Sequence, residues 1–126
     1  MRTGRIDYRM QRRATLRDVE AGLRSRTDVC DAHEMLVRAG THIGTVVEDA
    51  CPVCEATALR HVTYVFTGRA AKGKGEGGRA VPRERLATEV ERHGDLKVFT
   101  VEVCLGCRWH HLLESFLLLR SGAKVG

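Results

Sequence analysis

Large aromatic side chains and long apolar runs are both scarce in this sequence. Aromatic residues make up 5% of the 126 residues, and the longest apolar run extends only from Phe116 to Leu119. A membrane-spanning helix needs about 20 apolar residues, so we expect none here. With few large side chains to fill a core, a chain of this length gains stability from a metal crosslink.

A secretory signal is missing as well. The N-terminal residues MRTGRIDYRMQRR carry positive charge, but no apolar stretch follows them. We therefore expect a cytoplasmic protein, in which cysteines stay reduced. The chain has five cysteines, an odd number that suits four metal ligands and one spare thiol.

Two CxxC pairs are the most informative feature that is present. Cys51 and Cys54 form the first pair, and Cys104 and Cys107 form the second. Each CxxC turn places two thiolates on one side of a tight loop, and two such turns supply the closed tetrahedron that zinc prefers. The pattern predicts a structural Zn²⁺ site of the zinc-ribbon type, with no open position for a catalytic water.

Other roles for the cysteines remain open at this stage. Cys₄ spacing does not by itself distinguish zinc from iron, and a lone CxxC is also typical of redox proteins. Cys30 and His33 are a possible additional ligand pair or a buried thiol beside a polar histidine. His110 and His111 either flank the metal site or replace one cysteine in it.

Hydrophobic periodicity and turn signals divide the chain into segments. The predicted helices cover about 15–25, 29–39, 82–93 and 109–120, and the predicted strands cover 59–67 and 96–103. Residues 1–14 are predicted to form a basic arm, and 15–126 a single zinc-ribbon-containing domain with a flexible Gly/Lys-rich loop at 68–80. The fold class is α+β: a small antiparallel sheet, an N-terminal helical pair and a C-terminal helix.

The excess of basic over acidic residues suggests a partner that carries negative charge. The formal net charge is +5, and basic side chains can contact phosphate. The candidate contacts are Arg2, Arg5, Arg9, Arg12 and Arg13 of the arm and Lys72 and Lys74 of the loop. We predict a non-enzymatic zinc protein that binds RNA, DNA or a nucleic-acid-containing machine such as the ribosome or RNA polymerase. Both segments are also compatible with a solvated surface.

The sequence bears on three further functions. Glu55, Glu102 and Glu114 are isolated acids, so no enzyme is predicted. The apolar segment 109–120 either packs on the N-terminal helices or forms an interface with a protein partner or a second copy, which would make the chain an adaptor. A thiol or zinc redox switch that involves Cys30 is the third possibility.

The chain also resembles a known family. The segments MRTGRIDYRMQRRATLRDVEAG and SRTDVCDAHEMLVRAG, together with CPVC and CLGCRWHH, are similar to a family of small uncharacterised actinobacterial proteins, over nearly the whole chain. The resemblance implies a cytosolic zinc-ribbon-like protein of unknown function. It carries over no catalytic residues.

Overall fold

A computed structural model describes residues 1–67 and 78–120. The helices are α1 (Arg9–Glu20), α2 (Arg26–Val29), α3 (Glu34–Ile43) and α4 (Leu86–His93), the last preceded by a 3₁₀ turn at Arg83–Arg85. The strands are β1 (Arg2–Asp7), β2 (Thr45–Val46), β3 (Leu59–Thr67), β4 (Arg79–Val81), β5 (Leu96–Cys104) and β6 (His110–Leu118).

The strands form one antiparallel sheet. Its order is β1-β6-β5-β3-β2, and β4 also pairs with β3. The long pairing of β3 with β5 runs without a register shift from Leu59 opposite Cys104 to Thr67 opposite Leu96. The α+β class and the small antiparallel sheet are thus confirmed, as are the strands predicted at 59–67 and 96–103.

The two faces of the sheet bury different helices. Val65 of β3 packs in a buried cluster with Leu86 and Val90 of α4. Val62 packs in a second cluster with Leu36 and Val37 of α3. Because side chains three apart on a strand point to opposite faces, α4 and α3 lie on opposite sides of the sheet.

Helix α1 shares a side of the sheet with α4. Its Arg12 side chain reaches Glu102 of β5, which is in register with His61 and therefore on the same face as Val65. Leu16 and Val19 of α1 contact a third cluster, built around Leu59, Trp109 and the cysteines. The core therefore has one end formed by α4 and another formed by α1 and the CxxC turns.

The predicted C-terminal helix at 109–120 is wrong, because His110 to Leu118 form strand β6. This strand is central, hydrogen-bonded to β1 on one side and β5 on the other. Leu112, Leu113, Phe116 and Leu117 recur at the spacing of an apolar helix face, so the segment resembles a helix in sequence. A bulge at Leu113 also breaks the period of two that would have indicated a strand: β5 pairs Val101 with Leu112 and Thr100 with Glu114.

The N-terminal arm is likewise replaced by regular structure. Arg2–Asp7 is an edge strand on β6, and α1 then begins at Arg9 rather than near Thr15. Every residue of β1 is exposed, so its backbone pairing produces no apolar alternation in the sequence.

The helix predicted at 29–39 divides in two. Ser25 and Asp28 form a capping box that begins α2 early, and the chain starts α3 afresh after His33. Gly40 lies inside α3 rather than beyond its end. The helix predicted at 82–93 is confirmed as the 3₁₀ turn and α4. Residues 68–77 of the predicted loop lie outside the described residues, and its end belongs to β4.

The described helices are also too short or too polar to cross a membrane.

Candidate metal centre

Two turns with nearly the same backbone geometry carry the four cysteines. The Glu55 N–H donates to the Cys51 carbonyl, and the Arg108 N–H donates to the Cys104 carbonyl, each at 2.9 Å. Glu55 and Arg108, which follow the second cysteine of each turn, both have positive φ values, of 67° and 70°. These are the only non-glycine residues with positive φ in the described segments.

Backbone N–H groups in both turns point at the first cysteine sulfur. Cys51 Sγ accepts from Val53 and Cys54 at 3.4 and 3.5 Å. Cys104 Sγ accepts in the same way from Gly106 and Cys107, at 3.3 and 3.5 Å. Each turn therefore directs two backbone donors at the sulfur of its first cysteine.

Strands β3 and β5 bring the two turns to one end of the sheet. Cys104 is the last residue of β5 and pairs with Leu59, the first residue of β3. The Leu105 N–H donates to the Ala58 carbonyl at 2.9 Å and joins the second turn to the start of β3. The strand register therefore determines the separation of the turns.

The sulfur positions suit a tetrahedral ion. The Sγ atoms of Cys51, Cys54, Cys104 and Cys107 all lie within 4.8 Å of one another. The Cys51–Cys107 and Cys54–Cys104 distances are 3.8 and 3.7 Å. A tetrahedron with Zn–S bonds of about 2.3 Å has edges of about 3.8 Å, so the donor set fits a metal ion of this size. The four predicted cysteines are thus brought together and can hold a metal ion.

Burial and hydrogen bonding act on these thiols in opposite directions. Burial raises the pKa of Cys51 and, more strongly, the pKa of Cys107. The backbone N–H of Ala56 lowers the pKa of Cys54. A bound cation would favour the thiolate form throughout, because metal ligands of this type bind deprotonated.

The fifth cysteine touches the centre. The Cys30 thiol donates to Cys107 Sγ at 3.4 Å, and Cys30 packs in the same cluster as the two turns. It is positioned by α2, which ends at Val29, and by the Ala32 N–H, which donates to the Arg108 carbonyl at 3.0 Å. The sequence gives no signal for this contact beyond the odd number of cysteines.

The neighbouring histidines serve other roles in the described structure. His33 accepts the Met35 N–H through Nδ1 at the start of α3. His110 contacts Asp31 at 2.9 Å, and His111 stacks on Trp109. None of the three belongs to the four-thiol cluster.

Glu102, which looks like an isolated acid in the sequence, is a buried carboxylate that supports the cysteine cluster. Glu102 Oε1 accepts from Arg12 Nε at 2.8 Å and from Trp109 Nε1 at 2.9 Å. Trp109 is completely buried and packs against Cys51 and Cys104. A charged residue inside the apolar strand VFTVEVC is the one sequence signal that could have indicated this network.

Most of the arginines predicted to contact phosphate have partners within the chain. Arg5 pairs with Glu114, Arg9 with Asp7 and Arg12 with Glu102. The Arg2 guanidinium lies 4.4 Å from the centre of the Phe116 ring. Arg13 is exposed and forms no ion pair within the described residues. Lys72 and Lys74 lie outside those residues.

The fold and the four cysteines define a small α+β protein with a zinc-ribbon-like cysteine cluster that can hold a metal ion. The chain belongs to the family of unknown function DUF5318, which matches residues 1–125. Among curated proteins it is similar to the uncharacterized proteins Rv0049 of Mycobacterium tuberculosis and Mb0050 of Mycobacterium bovis. Each is 34% identical over 113 residues, which cover 90% of this chain and 80% of the relative. No solved structure matches the chain significantly.

Proposed function

We propose that the four cysteines hold one structural Zn²⁺ ion. Two matched turns supply four thiolates at tetrahedral spacing, and four protein ligands leave no position for a reacting water. Zinc would hold the start of β3 and the end of β5 in register. Because thiolate ligands must stay reduced, the proposal includes a cytoplasmic location.

Metal analysis of protein purified without chelator tests this proposal. We expect one equivalent of zinc, and Cys51→Ser and Cys104→Ser should both lose it. Less than about half an equivalent of zinc or iron, with four freely titrating thiols, would contradict a metal site. One equivalent of iron would keep the site but overturn zinc as its metal.

The proposed function is non-enzymatic binding to nucleic acid or to a nucleic-acid-containing machine such as the ribosome or RNA polymerase. Its support is the basic composition together with exposed arginines, such as Arg13, that form no ion pair within the described part of the chain. The choice of machine follows analogy with other zinc ribbons. The adaptor alternative relied on a C-terminal helix at 109–120, whereas His110–Leu118 form strand β6 and Leu113 and Phe116 are buried. A protein interface at this segment stays a prediction.

A low-salt affinity purification from native cells, with and without nuclease, tests this function. We expect RNA, ribosomal subunits or polymerase subunits to co-purify and to be released by nuclease or moderate salt. A discrete protein partner that survives both treatments would contradict it.

The Cys30–Cys107 contact favours a second function, a thiol switch that releases metal. A peroxide would convert the Cys107 thiolate to a sulfenic acid, with loss of hydroxide. The Cys30 thiol, 3.4 Å away, would then condense with it to form a disulfide and release water. The metal would lose one of its four ligands.

Zinc release under peroxide, followed with a chromogenic chelator, tests the switch. Cys30→Ser should hold zinc normally at rest but release it more slowly than the parent protein does. An unchanged release rate would remove Cys30 from the mechanism.

A further inference from the structure

A groove of about 420 Å³ lies beside the metal centre. Leu16 and Val19 of α1 form one apolar wall, and Pro52 and Val53 of the first CxxC turn form the other. The volume falls within the range of small-ligand sites, about 300–1,000 Å³. The groove is thus large enough for a flat group the size of a nucleobase.

Three arginines surround this apolar floor. Arg13 and Arg17 are one turn apart on α1, and Arg26 is the first residue of α2. All three are exposed and form no ion pair within the segments that the structure describes. Glu20 is the one acidic residue among those that line the groove.

This free set differs from the arginines nearer the N-terminus. Arg5, Arg9 and Arg12 already neutralise acids of the same chain, so an incoming phosphate would have to compete with those acids. Arg13, Arg17 and Arg26 form no ion pair in the described structure, although Glu20 lines the same groove. Compared with strand β1, the groove therefore presents more unneutralised positive charge next to apolar surface.

We propose that this groove binds single-stranded nucleic acid, an inference that rests on the proposed function and names its site. The guanidinium groups would take phosphates, for which their planar fork is well suited, and a base would lie on the apolar floor or on a guanidinium plane. Unpaired bases are needed for this contact, which excludes a regular duplex from the floor.

The metal centre shapes this site. Pro52 and Val53 lie between the ligands Cys51 and Cys54, so the wall they form depends on the folded turn. Nucleic-acid binding at the groove is therefore metal-dependent, although no groove residue is itself a ligand.

Fluorescence anisotropy with labelled oligouridine RNA and oligothymidine DNA tests the site over a series of salt concentrations. The groove variant carries Arg13→Ala, Arg17→Ala and Arg26→Ala. Its matched control carries Arg85→Ala, Arg92→Ala and Arg120→Ala, which remove the same charge from exposed positions elsewhere. Zinc content and circular dichroism confirm that both variants are folded.

We expect the groove variant to lose about tenfold or more in affinity, and the slope of log K against log salt to become shallower by about 2, for three single-strand phosphate contacts. The control should lose much less. Chelated protein should behave like the groove variant.

Three results would overturn the site. Equal losses in the two variants would mean diffuse charge attraction, which leaves the proposed function intact but removes the groove. Equally tight, arginine-dependent binding of a polyglutamate peptide would show an acidic-chain site rather than a nucleic-acid site. The proposed function would fail as well if the parent protein bound neither oligonucleotide and if no RNA co-purified with it.

Discussion

Glu102 joins two hydrogen-bond donors, Arg12 and Trp109, inside the protein. Its side chain is 6% exposed and accepts from both Arg12 and Trp109. Removing either partner would leave the buried carboxylate with an unsatisfied oxygen, which is costly.

Replacing Arg12 with alanine should therefore destabilise the protein. Because the Arg12 side chain is itself 23% exposed, we expect a loss of about 2–3 kcal/mol in the free energy of unfolding, below the range for a fully buried pair. Arg13→Ala, at the exposed neighbouring position, should leave the denaturation midpoint almost unchanged. Chemical denaturation of the two zinc-loaded variants measures the stability change caused by each substitution. Equal midpoints would show that water replaces the Arg12 side chain effectively as a partner of Glu102.

His61 should make stability depend on pH. Burial lowers its pKa below 6.5, Glu102 opposes this, and Arg9, Arg83 and Arg12 add to the lowering. Below pH 6.5 the unfolded chain then binds a proton that the folded chain does not. His61 therefore contributes a loss of stability as pH falls from 6.5 towards its folded pKa.

An NMR titration of the His61 ring measures this pKa directly. We expect a value below 6.5, and Arg83→Ala should raise it because one nearby positive charge is removed. A midpoint at or above 6.5 in the parent protein would show that Glu102 outweighs burial.

The sequence predicted the four clustered cysteines but not the groups around them. CxxC is a local motif, and the turn it forms depends on its own few residues, so Cys51 and Cys107 could be assigned without a fold. The contacts of Cys30 with Cys107 and of Arg12 with Glu102 join residues 77 and 90 positions apart. They depend on how α1 and α2 pack on the sheet, which no local pattern reveals.

At the level of elements, prediction succeeded where one face was apolar and the chain turned clearly. Strand β5 alternates buried and half-buried residues from Leu96 to Val101. The 3₁₀ turn that leads into α4 begins after Pro82, and α4 ends at Gly94, whose φ is +83°. It failed at both members of the β1–β6 pair. Strand β1 is exposed throughout, and the bulge at Leu113 interrupts the alternation of β6, so neither shows the regular half-buried pattern that indicates a strand.

Helix α3 approaches the sheet closely through Gly40. A Cβ atom at this position would lie 3.0 Å from Val103 Cγ1 and 3.2 Å from Leu105 Cδ2. We expect Gly40→Val to cost about 1–3 kcal/mol, because the larger side chain would push α3 away from β5. The melting temperature of this variant is compared with that of Thr41→Val, which places the same side chain at an exposed neighbouring position. Equal melting temperatures would show that the helix shifts freely.

For the whole molecule, the core is divided between two ends of one sheet. The cluster of Val65, Leu86, Val98 and Phe116 at the α4 end contains no cysteine. The cluster of Leu59, Trp109 and the CxxC turns contains few large side chains besides the tryptophan. The first end is held by apolar packing, whereas the proposed zinc ion would hold the second, which agrees with the low aromatic content of the chain.

Metal removal should accordingly loosen one end before the other. After chelation we expect faster amide hydrogen exchange in residues 51–58 and 104–109, because their N–H···S and turn hydrogen bonds depend on a fixed sulfur cluster. Amides of Val65, Val98 and Phe116 should stay protected, since the α4 cluster does not involve the cysteines. Exchange mass spectrometry of zinc-loaded and chelated protein measures both sets of amides.

Cys30→Ser, which leaves the four proposed ligands in place, is the control and should match the zinc-loaded parent. A uniform loss of protection over all strands would mean that the two ends unfold as one unit and that zinc stabilises the entire sheet.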